Sequence, residues 1–169
     1  MGSKRLILKI TYSSIIAALY AIVTIVTIPI SFGPIQFRVA EALNILPLFF
    51  PESIIGLTIG CLISNLFSPS NILLDATLGT GATLLSAVLC YLIGKVIKKE
   101  PLRVILGIIP AIVINALVVP FTFLAYSSLK ELYLIEALSV FLGQTGVLII
   151  LGIPLYYALK SINQKFHIF

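Results

Sequence analysis

The chain has 169 residues, 60% of them hydrophobic and only 10% charged, with a mean hydropathy of +1.18. A soluble domain carries about a quarter charged residues, so this composition excludes a water-soluble fold and describes a polytopic membrane protein. The net charge of +5 calls for no nucleic-acid partner, because no run of Lys or Arg is interleaved with aromatics and basic cytoplasmic loops account for it.

Six apolar segments follow one another, at 7–30, 38–50, 52–67, 73–95, 103–126 and 136–159. The first comes after Lys4, Arg5 and Lys9 as a signal peptide would, yet it runs past Pro29 without a small-residue cleavage site and is expected as a retained span. Four of the six have the roughly 20 residues a spanning helix needs. The second and third are shorter, and Pro51 followed by Glu52 marks the end of one helix and the start of the next. At the α-helical rise they reach only about 20 to 24 Å, so they are expected against other helices where the protein is thin or their ends are buried.

Joining these two into one kinked span gives five helices, and charge placement decides between the counts. With six spans and the N-terminus inside, Lys4, Arg5, Lys9, Lys95, Lys98, Lys99, Arg103, Lys160 and Lys165 face the cytoplasm, and only Arg38 and Lys130 lie outside. Five spans give four basic residues against seven, or seven against four when inverted. The expectation is one all-α transmembrane domain over residues 1–169, with six helices and both termini cytoplasmic.

Several chemistries are missing from the sequence. No GxxxxGK[ST] phosphate loop is present, and Gly79 and Gly81 in LGTGATLL lack the third glycine and the acidic partner of a nucleotide loop, so close helix packing explains them better. The single histidine, His167, lies beyond the last span, which removes His-based acid–base, triad and metal proposals. Cys61 and Cys90 stand in apolar runs without CxxC spacing and are expected as packing residues. No cofactor is expected, and no GxGD carboxylate pair suggests an intramembrane protease.

The polar residues inside the spans carry the functional signal, since a charge at the bilayer centre costs roughly 2.5 to 3.5 kcal/mol. In the six-helix topology Gln36, Arg38, Glu41, Asn44, Asn65, Asn71, Asp75, Glu131 and Glu136 all fall on the outer half, with Asn115 and Gln144 deeper. A concave, outward-facing ligand site is the economical reading. Each residue has a plainer alternative. Asn115 lies between Pro110 and Pro120 and is placed to satisfy carbonyls those prolines free, Gln144 with Thr145 to bond between helices, Asp75 to cap helix four and Glu136 to open helix six. Lys130 and Glu131 read as a solvated loop face. Arg38 and Glu41, three apart, read either as an ion pair at the outer rim or as ligand contacts. On helix one, Ser13, Ala17 and Ala21 recur every fourth residue beside Ser14 and Ala18, a smooth stripe for close approach by another helix or another protein.

The stretches IQFRVAEALNILPLFFPESIIGLTIGCLISNLFSP and DATLGTGATLLSAVLCYLIGK resemble the QueT family, the substrate-binding S-components of energy-coupling factor (ECF) transporters for queuosine precursors. The likeness runs from helix one to the end of helix four and is weaker beyond. It implies the six-helix S-component fold, a prokaryotic plasma-membrane location, and capture of a deazaguanine, such as the aminomethyl precursor or queuine, from outside. It also implies docking on a membrane scaffold subunit that carries two cytoplasmic ATPases, with Ser13, Ala17 and Ala21 matching the docking stripe. Asp75, Glu136 and Glu41 are then candidates for the ligand's donors, and Gln36, Gln144, Asn115 and Arg38 for the rest of the site. Phe32, Phe37, Phe121 and Tyr126 are candidate aromatic platforms. Alternatives are an S-component for another vitamin-like molecule, a self-sufficient carrier, or an intramembrane enzyme.

Overall fold

The computed structural model describes residues 2–32, 36–69, 71–124 and 130–166, and its regular elements are all helical. Helix α1 (Gly2–Val26) is followed by the short α2 (Ile28–Ser31), a 3-10 helix (Val39–Leu48) and α3 (Glu52–Asn65). Then α4 (Ile72–Leu74) passes through a π turn, Asp75–Gly79, into α5 (Thr80–Val96), and α6 (Glu100–Val118) leads to α7 (Pro120–Leu124). Finally α8 (Lys130–Val147) continues through a second π turn, Leu148–Gly152, into α9 (Ile153–Phe166). Four stretches, Lys4–Val26, Ile72–Val96, Glu100–Thr122 and Tyr133–Lys165, are long and apolar enough to cross a membrane. Large side chains such as Leu6, Ile22, Leu73, Leu85, Ile105 and Ile150 stand outward on these helices, a surface that lipid covers at no cost and water would not.

The second apolar segment differs from the α-helix expected of it. Over ten residues it winds as a 3-10 helix, and every residue from Ala40 to Leu48 is buried. Such a helix eclipses residues i and i+3, and the sequence uses this threefold symmetry. Ala40, Leu43 and Leu46 form one ridge, packed with Ile16, Tyr20, Leu57 and Ala87. Ile45 and Leu48 belong to the next, packed with Val104, Ile108, Leu148 and Tyr156. Glu41 and Asn44 share the third, with Pro47 in line. This answers how a short segment resides in a membrane. It is packed among the other helices along nearly its whole length, and its rise of about 2.0 Å per residue stretches ten residues to about 20 Å.

Helix α3 lies against α1 through Gly56 and Gly60. A Cβ on Gly56 would meet Ser13 O at 2.7 Å, and one on Gly60 would meet Ala17 O and Tyr20 Cβ at 2.7 Å. The two backbones touch, as at G-x-x-x-G crossings in membranes. The Ser13 hydroxyl donates to Glu52 O at 2.8 Å, and Lys9 pairs with Glu52 at 2.9 Å. At the same end of the bundle Arg103 Nη2 donates to Leu48 O, closing the last turn of the 3-10 helix, and Lys160 pairs with Glu100.

Candidate functional site

The Arg38 end of the bundle holds a buried polar network assembled from five parts of the chain. Arg38 is the residue before the 3-10 helix, in extended conformation (φ −82°, ψ 95°), and Glu41 begins the helix's polar ridge. Glu41 is wholly buried. Its Oε1 accepts from the Tyr20 hydroxyl of α1, and its Oε2 accepts from Asn44 Nδ2 and, at 3.2 Å, from Asn115 Nδ2 of α6. Arg38 Nη1 stands 3.9 Å from Glu41 Oε1. On its other side the guanidinium lies 4.0 Å from Cys61 Sγ and packs over the Phe32 ring at 4.9 Å from the centroid.

The network continues from Cys61 toward Asp75. Asn65 Nδ2 donates to Cys61 Sγ at 3.3 Å and to Asp75 O at 2.7 Å, while Thr83 Oγ1 approaches the same sulfur at 3.2 Å. The Ser68 hydroxyl donates to Asp75 Oδ2 at 2.5 Å. Asp75 opens the π turn, a helix irregularity of the kind that gathers at functional sites. From the far side, α8 meets the segment entering Arg38. A Cβ on Gly143 would collide with the Gln36 carbonyl, and one on Gly146 would lie 3.2 Å from the Phe37 ring. Gln144, between those glycines, and Gln36 are both buried. Among buried side-chain atoms of the described residues, Asn44 Oδ1, Asn65 Oδ1, Gln144 Oε1 and the hydroxyls of Thr24, Thr80 and Thr145 have no hydrogen-bond partner, nor has Arg103 Nε at the other end. A buried acceptor left unmade costs about 1–3 kcal/mol, so Asn44, Asn65 and Gln144 are places where an incoming donor gains most.

Several sequence expectations change here. Arg38 and Glu41 do stand as the i,i+3 pair their spacing suggests, with Arg38 as the cap before the helix, but both are buried, and Glu41 is the hub of a network rather than half of an exposed pair. Asp75 is not the cap of its helix. Asn71 is, accepting from Leu74 N at 3.1 Å, because its side chain lies three residues before that amide. Asn115 spends its amide on Glu41 instead of on proline-freed carbonyls. Glu136 is half-buried on α8, one turn before the buried Val140 and two before Gln144. Phe121 faces outward against Tyr133 at 5.1 Å, which takes it away from the polar network. Ala17 and Ala21 are buried, while Ser14 and Ala18 line an open groove with Ser13, Lys9 and Glu52. The side chains of Lys130 and Glu131, and Tyr126, His167 and residues 33–35, lie outside the described residues.

Sequence reasoning missed Tyr20, Gly56, Gly60 and the polar role of Cys61. The glycines were legible as G-L-T-I-G. Tyr20 was not, since a tyrosine in an apolar run gives no sign of which carboxylate it will reach.

An all-helical fold among the described residues, with several helices long and apolar enough to span and a buried polar network at one end, is that of a multi-pass membrane protein. The comparisons make this specific. The family described as QueT transporter matches residues 10–161, nearly the whole chain, and the protein belongs to that family of transporters, which are not enzymes. The curated queuosine precursor transporter QueT of Lactococcus lactis subsp. cremoris (strain MG1363) is 53% identical over 57 residues, 32% of this chain and 34% of that protein. The chain thus aligns with about a third of that relative's length. No solved structure matches.

Proposed function

We propose that this chain is the substrate-capturing S-component of an ECF-type transporter, taking up a queuosine precursor of the deazaguanine class from outside the cell. The observation that carries the reading is the buried polar network around Glu41, which joins Arg38, Asn115 and, through Cys61 and Asn65, Asp75, with buried Gln36 and Gln144 where α8 meets the segment entering Arg38. A deazaguanine is flat, offers adjacent N–H donors and a carbonyl, and needs acceptors and donors fixed in one plane. Asn44, Asn115, Gln144 and Gln36 supply such amides, Arg38 a donor for the carbonyl, and Phe32 and Phe37 flat surfaces beside them. The formal charges of Arg38, Glu41 and Asp75 sum to one negative, and half-buried Glu136 adds another, which favours a ligand bearing an aminomethyl cation. The relative named as a queuosine precursor transporter supports the substrate class.

The topology goes with the same reading. Both termini and the basic loop at 95–103 face the cytoplasm, which puts the polar network in the outer half of the membrane. The sequence has no phosphate-binding loop, so energy comes from partners, a scaffold subunit with two ATPases. The docking surface is the α1–α3 groove, where Ser13 with exposed Ser14 and Ala18 gives a shallow floor over buried Ala17 and Ala21 and Lys9 with Glu52 gives a charged rim.

The test is calorimetric titration of the purified chain in detergent. One deazaguanine per chain is expected, with guanine and water-soluble vitamins weak or silent. Saturable binding of a vitamin and none of a deazaguanine would move the chain to another substrate class.

A further inference from the structure

The geometry points to Glu41 as a positioning residue for the ligand rather than a ligand contact, a role that rests on the substrate reading above. We propose that its carboxylate fixes which way the Asn44 amide faces and thereby sets the site's preference for a ligand edge rich in N–H donors. An ionised carboxylate only accepts hydrogen bonds. Glu41 already takes the Tyr20 hydroxyl on Oε1 and the amide nitrogens of Asn44 and Asn115 on Oε2, with Arg38 beside it. No exposed surface of the carboxylate is left for a substrate.

What Glu41 leaves open is informative. An asparagine amide has one donor end and one acceptor end, and whatever holds the first decides where the second faces. With Nδ2 held by Glu41, Asn44 Oδ1 is a buried acceptor without a partner. Gln144 Oε1 is another, on the turn of α8 that packs against the segment leading to Arg38. Two unmet acceptors at nearly fully buried side chains ask for N–H donors, and a ring N–H next to an exocyclic amine supplies two of them on one edge. A ligand with an acceptor at that edge would face oxygen with oxygen.

Replacing Glu41 by glutamine keeps the shape but reverses part of this logic. The Arg38 guanidinium, 3.9 Å from the Oε1 position, favours the Gln oxygen on that side, which turns the Gln amide nitrogen toward the Nδ2 donors of Asn44 and Asn115. The donor–donor clash at Asn44 is relieved when that asparagine turns its amide by half a revolution, which offers a donor to the ligand in place of an acceptor.

The experiment compares the affinity of 7-deazaguanine with that of 7-deazahypoxanthine, which lacks the exocyclic amine, for the full chain in detergent. The wild-type protein is expected to favour the amine-bearing ring by about tenfold or more, the effect of one buried acceptor met or unmet. Glu41→Gln is expected to erase that preference. Val104→Ala, which opens a cavity in the apolar cluster beside the basic end, is expected to lose stability and keep the preference. Asn44→Ala serves as an independent variant and is expected to weaken the amine-bearing ring about tenfold and spare its analogue. An unchanged preference in Glu41→Gln, or an equal loss for both rings in Asn44→Ala, overturns the positioning role while the substrate reading stands. A wild-type protein that binds neither ring overturns both.

Discussion

At the Arg38 end of the bundle a guanidinium and two carboxylates are sealed from solvent, each met by other side chains of the chain. At the opposite end two ion pairs stay wet: Lys9 with Glu52, and Lys160 with Glu100, whose side chains are about a third exposed. The physics of the two arrangements is opposite. A buried charge whose partner is removed keeps its desolvation cost and loses its compensation, whereas an exposed pair trades its partner for water. The contrast teaches where selection has acted for something other than stability, because a hydrophobic replacement of the buried set would fold at least as well.

Four substitutions probe that comparison. Glu41→Ala removes the acceptor of three donors and strands Arg38, and should cost about 3–5 kcal/mol, read as a large drop in the midpoint of thermal unfolding in detergent. A loss no greater than that at an exposed pair would erase the distinction between the two ends. Gly60→Val forces a side chain into Ala17 O and Tyr20 Cβ, and a loss of about 1–3 kcal/mol is expected on the same melt. Because Tyr20 carries the hydroxyl that meets Glu41, this variant should also weaken ligand binding, which a titration would reveal. Asn65→Ala breaks the bonds to Asp75 O and Cys61 Sγ, with an expected cost of about 1–2 kcal/mol, and sharpens how far the network extends beyond Glu41. Lys9→Ala at the wet end should change stability by less than about 1 kcal/mol, and melts repeated at high salt should shrink even that difference.

That the chain is helical with several spanning segments was readable from composition, since Pro51, the basic loop at 95–103 and hydropathy all speak locally, and four helices are long and apolar enough to cross a membrane. The helical irregularities were not. A 3-10 helix of ten residues contradicts the usual limit of three or four, and only the surrounding bundle, which buries all three of its ridges, sustains it. The membership of the polar network was also legible, because Arg38, Glu41, Asp75, Asn115 and Gln144 are conspicuous in such a background. Their roles were not, because hydrogen-bond partners such as Tyr20 and Asn44 are set by tertiary placement. Asp75 and Asn71 illustrate the limit: both suit a helix start, and the choice between them depends on where the backbone turns.

The 3-10 helix joins the two ends that the comparison separates. Its first turn carries Glu41, and its last carbonyl, on Leu48, is held by Arg103 from the base of α6. Tension at one end therefore has a rigid member through which to reach the other. Rewound to α-helical pitch, the same ten residues would shorten by about 5 Å, so the winding of this rod is a mechanical coordinate shared by the buried network and the basic end.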